Sequence, residues 1–161
     1  MAELFLSGAQ LVISIVTAAL VAYLSIWLFD KTTRNIDEWN ELRKGNVAVG
    51  VVLASIIVGV GLILRPGLAP AALNLDVGPT NAVVIRLVVQ LIQILIGLLL
   101  AVISIGGSVW LFTRLTGAID EWAEIARGNV SIAIVLAGVI IATSLIVGTA
   151  LDAILQLIIH A

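Results

Sequence analysis

The residues of this chain best suited to chemistry are carboxylates, and they occur twice in one pattern. Two short polar segments each contain the run Asp-Glu-Trp-x-Glu. Its residues are Asp37, Glu38, Trp39 and Glu41 in the first segment and Asp120, Glu121, Trp122 and Glu124 in the second. Carboxylates so close together can attract a cation or a basic partner. They are equally typical of the solvated face of a short helix that lies at a membrane surface.

The spacing of apolar residues predicts a short amphipathic helix in each segment. At about 100° per residue, Ile36, Trp39 and Leu42 lie within one sector, and the carboxylates lie on the opposite side. The second segment has the same arrangement, with Ile119, Trp122 and Ile125 on its apolar side. Two interpretations remain. The carboxylates either form a surface that binds a cation or a partner, or they are simply the water-facing side of a helix at the membrane surface.

A Gly-Asn pair follows each acidic segment, as Gly45-Asn46 and Gly128-Asn129. Glycine tolerates the backbone geometry of a sharp break, and asparagine is a favoured N-cap of the helix that follows. The pattern therefore predicts a loop-to-helix break in both places. The alternative is that the asparagine amides face a pore or a substrate.

Two glutamines in apolar surroundings, Gln10 and Gln93, stand at matching places in the chain. A glutamine in hydrocarbon needs hydrogen-bond partners, which neighbouring helices can supply. We therefore expect interhelical contacts at these positions, or alternatively a polar lining near one mouth of a pathway.

The sequence contains none of the residue sets that common enzyme sites need. It has no cysteine and one histidine, and no nucleotide-binding, zinc-protease or nucleophile-elbow motif occurs. No Asp or Glu lies inside an apolar core, where a proton-carrying rotor or antiporter would need one. We expect no enzymatic activity, no cofactor, no metal and no nucleic-acid partner.

Composition places the chain in a lipid bilayer. Apolar residues make up 61% and charged residues 11%, against roughly 25% charged residues in soluble domains. Four apolar segments approach the roughly 20 residues that a membrane-spanning helix needs. They are Leu11–Phe29, Val47–Leu64, Leu87–Phe112 and Val130–Leu151. The predicted fold class is all-α, a polytopic membrane protein with four transmembrane helices.

The chain is an internal duplication. Residues 10–68 align without a gap with residues 93–151, a constant spacing of 83, and more than half of positions 27–46 are identical in the two copies. We divide the single membrane domain into a first two-helix repeat (1–68), an extracytoplasmic linker (69–84) and a second two-helix repeat (85–161). Because each repeat crosses twice, the two hairpins should be parallel in the membrane.

Most Lys and Arg residues lie in the two acidic segments, which places both segments in the cytoplasm and both termini outside. Pro66-Gly67 should end the second span. Thr80 could cap a third helix that runs to Phe112. After Leu151 the chain either leaves the membrane near Asp152 or continues as an amphipathic helix.

The motif W-L-F … I-D-E-W-x-E-[LI]-x-[KR]-G-N-V, present in both copies, resembles the YjfL-like family of bacterial membrane proteins, known as domain of unknown function three-fifty. The resemblance covers nearly the whole chain. It implies a four-helix inner-membrane protein with an internal duplication, and it brings no established activity.

Two hypotheses for the function follow. In the first, the protein is a homo-oligomeric scaffold whose Trp and acidic segments recruit a cytoplasmic protein partner to the membrane. In the second, it is a passive channel or facilitator for a small cation or solute. The scarcity of polar residues in the spans favours the scaffold, because a conduit usually shows a polar stripe.

Overall fold

The computed structural model describes residues 2–32, 37–68, 79–117 and 119–160, and all regular secondary structure in these ranges is helical. The prediction of an all-α fold is confirmed for this part of the chain. There are six helices: α1 Ala2–Thr32, α2 Glu38–Arg43, α3 Val47–Leu68, α4 Pro79–Leu115, α5 Glu121–Ala126 and α6 Val130–His160.

The helices follow the sequence duplication, with the same pattern of helices in each repeat. A long helix, a six-residue helix and a second long helix occur twice, and α5 and α6 begin 83 residues after α2 and α3. The predicted short helices are therefore present in both copies. The same side chains in the same order fold the same way twice, which shows that this local structure depends mainly on local sequence.

Helix α3 is the centre of the bundle. It contacts α1, α2, α4, α5 and α6, and its most extensive contact is with α6. Its buried side chains are almost all apolar, with Val49, Val52, Ile56 and Ile63 among the least exposed. Helix α4 packs on both α3 and α6, whereas α1 packs chiefly on α3.

Small residues allow α3 and α6 to approach closely. A side chain added at Gly59 would lie 2.5 Å from the hydroxyl of Ser144, and one added at Gly148 would lie 2.8 Å from the carbonyl oxygen of Leu62. The α3–α6 contact is thus a close approach of backbones of the kind that small residues permit in lipid. The small residues Ser55 and Gly59, spaced four apart, are both buried inside the bundle.

Three helices are long and apolar enough to cross a membrane. They are Val47–Leu68, Val88–Leu115 and Val130–Leu157, and a shorter apolar stretch, Leu11–Trp27, lies within α1. The chain therefore has the character of a membrane protein, with three segments of full length where the sequence predicted four.

The predicted helix ends agree with the structure only in part. Helix α3 includes Pro66 in its last turn and ends at Leu68, one residue after the predicted Pro66-Gly67 end. Helix α4 begins at Pro79, a favourable first position, so Thr80 is not its cap and residues 79–84 of the predicted linker are helical. Of the two alternatives after Leu151, the continued helix is found, because α6 runs past Asp152 to His160.

Candidate functional site

Each acidic segment begins its short helix with an aspartate cap. Asp37 Oδ1 accepts a hydrogen bond from the backbone N–H of Asn40 at 3.1 Å, and Asp120 Oδ1 accepts one from Ala123 at 3.0 Å. These bonds satisfy backbone donors that have no partner within the helix. Asp37 and Asp120 therefore hold the first turn in place, although both side chains are exposed and remain available to solvent.

Each short helix ends in the same turn. The N–H of Asn46 donates to the carbonyl of Glu41 at 3.0 Å, and the N–H of Gly45 donates to Leu42 at 3.0 Å, the paired bonds of a Schellman motif. In the second copy, Asn129 and Gly128 make the equivalent bonds at 2.9 and 3.0 Å. Gly45 and Gly128 have φ angles of 77° and 87°, a left-handed conformation that favours glycine.

The next helix starts without any linker. Asn46 Oδ1 accepts from the backbone N–H of Val49 at 3.3 Å, and Asn129 Oδ1 accepts from Ile132 at 3.5 Å. Each asparagine thus completes the end of one helix with its backbone and the start of the next with its side chain. This geometry fixes the angle between the short helix and the long helix in both repeats.

One glutamate in each copy is tied to this asparagine. Asn46 Nδ2 donates to Glu41 Oε2 at 3.0 Å, and Lys44 Nζ lies 2.7 Å from Glu41 Oε1. The hydrogen bond from Asn46, followed by that from Lys44, lowers the pKa of the Glu41 carboxyl below its ordinary value.

The second copy repeats the arrangement around Glu124. Asn129 Nδ2 donates to this carboxylate at 2.9 Å and Arg127 Nη1 donates to it at 2.8 Å. The bond from Asn129, then that from Arg127, lowers the pKa of Glu124. The carboxylate, the asparagine and the adjacent basic residue form one unit in each repeat, although the basic residue changes from lysine to arginine.

The other glutamate of each acidic segment, Glu38 or Glu121, is buried. This corrects the prediction that all three carboxylates of each segment face water. Glu38 is 7% exposed and Glu121 is 4% exposed. The hydroxyl of Thr116 donates a hydrogen bond to Glu121 Oε1. The helical sector placed these glutamates on the solvent side, whereas the structure buries each of them in the first turn that follows the aspartate cap.

Trp39 and Trp122 differ in their surroundings. Trp39 is 55% exposed, while Trp122 is partly buried and packs against the apolar core. Ile125, which the sequence placed on the apolar side of the second segment, is fully buried, whereas Ile119 is half exposed. Among the described residues of the two acidic segments, Trp39 and Ile119 both contribute exposed apolar area.

The two loops are joined by one side chain. Besides its bond to Glu41, Asn46 Nδ2 lies 3.1 Å from the carbonyl of Ile125 and 3.0 Å from that of Ala126, at the C-terminal end of α5. An amide has two hydrogens, so one is shared between acceptors. These bonds join residues that are 79 and 80 positions apart in the sequence, and they place both short helices at the same end of the bundle. We call five exposed residues of this end the loop surface: Asp37, Trp39, Asn40, Ile119 and Asp120. The basic residues Arg43, Lys44 and Arg127 are exposed beside it.

The glutamines lie far from this surface. Gln93 is buried in α4, and its Oε1 has no hydrogen-bond partner in the part of the chain that the structure describes. One turn away, Gln90 Nε2 donates to the carbonyl of Leu68 at 3.4 Å. Gln90 therefore links α4 to the end of α3, whereas the interhelical contacts were predicted for Gln10 and Gln93. The side chain of Gln10 lies outside the described residues.

Sequence reasoning missed Thr116 as a partner of the buried glutamate. The signal was present, because Thr116 is identical to Thr33 at the repeat spacing and precedes Glu121 by five residues. The cross-repeat role of Asn46 had no such signal, since Asn129 is the same residue type in an equivalent loop. Among the described residues, no cluster of three or more His, Asp or Glu side chains could hold a metal ion.

Comparison with protein families identifies the duplicated unit. The model described as Domain of Unknown Function (DUF350) matches residues 3–100 and again residues 86–160, and the starts of the two matches are separated by the same 83 residues as the repeats. Searches of curated proteins and of solved structures give no match. With two tandem matches that cover almost all of its length, the chain belongs to the DUF350 family.

Proposed function

We propose that this DUF350 protein is a membrane scaffold that binds a cytoplasmic protein partner on its loop surface. The observation that carries the proposal is the bridge from Asn46 to the end of α5, which joins two separate loops into one surface. A joined surface has a fixed shape, and a fixed shape is what a specific partner needs to bind without paying the entropy of ordering two loops.

The chemistry of the loop surface indicates the kind of partner. Asp37 and Asp120 are exposed and carry negative charge, and the indole of Trp39 offers a large apolar area beside them. Exposed tryptophans are frequent anchors in protein interfaces. The partner should therefore present basic side chains around an apolar pocket or ridge.

The core of the bundle gives less support to a passive channel within one protomer. The contact between α3 and α6 is filled by apolar side chains, and the buried hydroxyls of Ser55 and Ser144 donate to carbonyls of their own helices. Those hydroxyls are therefore not aligned along a water-filled path. A conduit would therefore have to form between protomers, and the buried Gln93 lies inside the protomer and away from such a path.

The proposal includes a membrane topology. Helix α1 serves as the fourth span beside α3, α4 and α6, and the two hairpins run parallel. The basic residues next to the short helices favour a cytoplasmic loop surface, with both termini outside the inner membrane of a bacterial cell. Exposed apolar faces of α1 and α4 supply the area for a homo-oligomer, whose number of protomers the proposal leaves to measurement.

Labelling of single cysteines tests this topology with little interference, since the natural chain has no cysteine. A cysteine at exposed position 40 should react with a membrane-impermeant maleimide only after the cells are opened. A cysteine at position 81, at the start of α4, should react in intact cells with a permeable outer membrane. The opposite pattern contradicts the proposed orientation and leaves the scaffold proposal to be tested on the other side of the membrane.

The binding test removes charge without removing the helix caps. Asn is as good an N-cap as Asp, so Asp37→Asn and Asp120→Asn keep the loop structure and delete two charges. A photoreactive residue at position 40 should crosslink one recurrent soluble protein in cells. The doubly neutral variant combined with Trp39→Ala should lose that crosslink.

The matched control replaces another exposed tryptophan, Trp110→Ala, which lies on α4 and outside the loop surface. This control should keep the crosslink. In purified material, binding of the captured protein should weaken as salt rises, because the Debye length falls from about 10 Å at 0.1 M to about 3 Å at 1 M. A crosslink that survives in the triple variant contradicts the proposal.

A further inference from the structure

A groove lies between α3 and α6, at the end of the bundle opposite the loop surface. Its volume is about 330 Å³, at the lower end of the roughly 300–1,000 Å³ that small-ligand sites occupy. Its lining residues are Leu62, Arg65, Pro66, Leu145, Gly148, Thr149 and Asp152. Leu62, Pro66 and Leu145 give the groove apolar surface, and the exposed Arg65, Thr149 and Asp152 supply its polar groups.

The groove straddles the axis that relates the two repeats. Leu62, Arg65 and Pro66 precede Leu145, Gly148 and Thr149 by the repeat spacing of 83 residues. The leucines are the same in both copies, so this part of the groove is symmetric. The other pairs differ: α3 has the cationic Arg65 where α6 has Gly148.

The backbones of α3 and α6 are in contact inside the groove. A larger residue at position 148 would meet the carbonyl oxygen of Leu62 at 2.8 Å, so the two helices would have to separate to admit one. Gly148 therefore sets the close spacing of the two helices in the groove.

The charged residues of the groove are not neutralised by each other. Arg65 is exposed and has no carboxylate within 4 Å in the described part of the chain. Asp152 is exposed and accepts one hydrogen bond, from Gln156 Nε2 at 3.3 Å. One cation and one anion on the rim of a single groove match a ligand that carries both charges.

The depth of the groove in the membrane identifies the ligand. At 1.5 Å per residue, Arg65 lies about 27 Å from the start of α3 and Asp152 about 33 Å from the start of α6. The hydrocarbon core of a bilayer is about 30 Å thick, so both charges lie at the level of the lipid headgroups opposite the loop surface.

We propose that the groove binds a phospholipid with a phosphate and a primary ammonium group, as in phosphatidylethanolamine. The guanidinium of Arg65 pairs with the phosphate, for which its fork of donors is well suited. The ammonium donates to Asp152, and the acyl chains lie against Leu62 and Leu145. Phosphatidylcholine has no N–H to donate, and phosphatidylglycerol has no cation to place beside Asp152. This inference does not depend on the proposed scaffold function.

Native mass spectrometry of the delipidated protein tests the proposal with three lipids of identical acyl chains. Phosphatidylethanolamine should bind about tenfold more tightly than phosphatidylglycerol or phosphatidylcholine, the difference expected for one charge-assisted contact. Arg65→Gln should weaken binding of all three lipids. Asp152→Asn should abolish the preference for phosphatidylethanolamine while leaving phosphatidylglycerol binding unchanged or tighter.

The controls make the same chemical changes at the other end of the bundle. Arg43→Gln and Asp30→Asn, both at exposed positions, should leave all three affinities unchanged. Free phosphoethanolamine separates a lipid from a soluble ligand: it should compete only weakly, because it lacks acyl chains. Equal affinity for the ethanolamine and glycerol lipids, a preference that persists in Asp152→Asn, or phosphoethanolamine binding as tight as that of the lipid would each overturn the proposal.

Discussion

The two loops at one end of the bundle share their local structure but differ in their connections. In both, an aspartate starts a short helix, a glycine at positive φ ends it, and an asparagine binds a glutamate and caps the next helix. Only Asn46 also reaches the other repeat, through the carbonyls of Ile125 and Ala126. Among the described residues, Asn129 makes no equivalent bond to the first repeat.

The difference distinguishes two kinds of bond in a duplicated protein, those within one loop and those between the two repeats. Bonds between residues three to five apart recur because the same side chains recur. Bonds between repeats depend on how α3, α5 and α6 are placed, and the duplication does not force that placement to be symmetric. Substitutions at equivalent positions should therefore have equal effects where a residue acts locally and unequal effects where it acts across repeats.

The largest difference in stability between equivalent substitutions is expected at the two asparagines. Asn46→Ala removes the cap of α3, the bond to Glu41 and the bonds to α5, and should lower the free energy of unfolding by about 2–4 kcal/mol. Asn129→Ala removes only its cap and the bond to Glu124, and should lower it by about 1–2 kcal/mol. Unfolding by titration with SDS in mixed micelles measures both values. Equal losses would mean that the bridge between the loops contributes nothing.

The two glycines should behave alike. Gly45→Ala and Gly128→Ala each force a side chain into the left-handed region, which destabilises the protein by roughly 1–2 kcal/mol. Nothing lies within 4 Å of a side chain added at Gly45, and only Asn46 Oδ1, at 3.9 Å, approaches one at Gly128. Steric conflict is thus absent, and the same unfolding titration should give values that agree within error. Gly61→Ala, an open position in α3, is the control and should not destabilise the protein.

The aspartate caps should give a smaller and again equal effect. Asp37→Ala and Asp120→Ala each leave a backbone N–H without its acceptor, which should destabilise each loop by about 1 kcal/mol. Asp37→Asn and Asp120→Asn should restore most of the loss, because the amide oxygen also caps. Hydrogen exchange at the N–H groups of Asn40 and Ala123 reports each loop separately. Protection that survives the alanine substitutions would show that the caps are dispensable.

The smallest effect concerns the pKa values of Glu41 and Glu124. Both are lowered, so ionisation favours the folded loops: the contribution is complete above the ordinary value of 4.5 and is lost as the pH falls through the lowered pKa. Asn46→Ala should raise the pKa of Glu41, and Asn129→Ala that of Glu124, each without moving the other. Carboxyl carbon chemical shifts followed against pH measure both. A pKa of Glu41 that does not respond to Asn46→Ala would contradict the bond seen between them.

The sequence predicts those features of the loops that depend on residues close together in the chain. Gly45-Asn46 and Gly128-Asn129 were expected to break the chain, and the short helices were expected where they occur. The burial of Glu38 and Glu121 is not predicted, because a helical sector describes one short helix and takes no account of its contacts with the rest of the fold. The groove at Arg65 and Gly148 also escaped prediction, since it needs the α3–α6 contact to bring residues 83 positions apart together.

The central position of α3 has a consequence for how the protein comes apart. Because α3 contacts the other five helices, it cannot detach without breaking every interface in which it takes part, so its opening should coincide with global unfolding. Helix α1 packs chiefly on α3 and can leave while the rest of the bundle persists. The amides of α3 should therefore exchange only at the rate of complete unfolding, with α1 forming a separate and less stable cooperative unit.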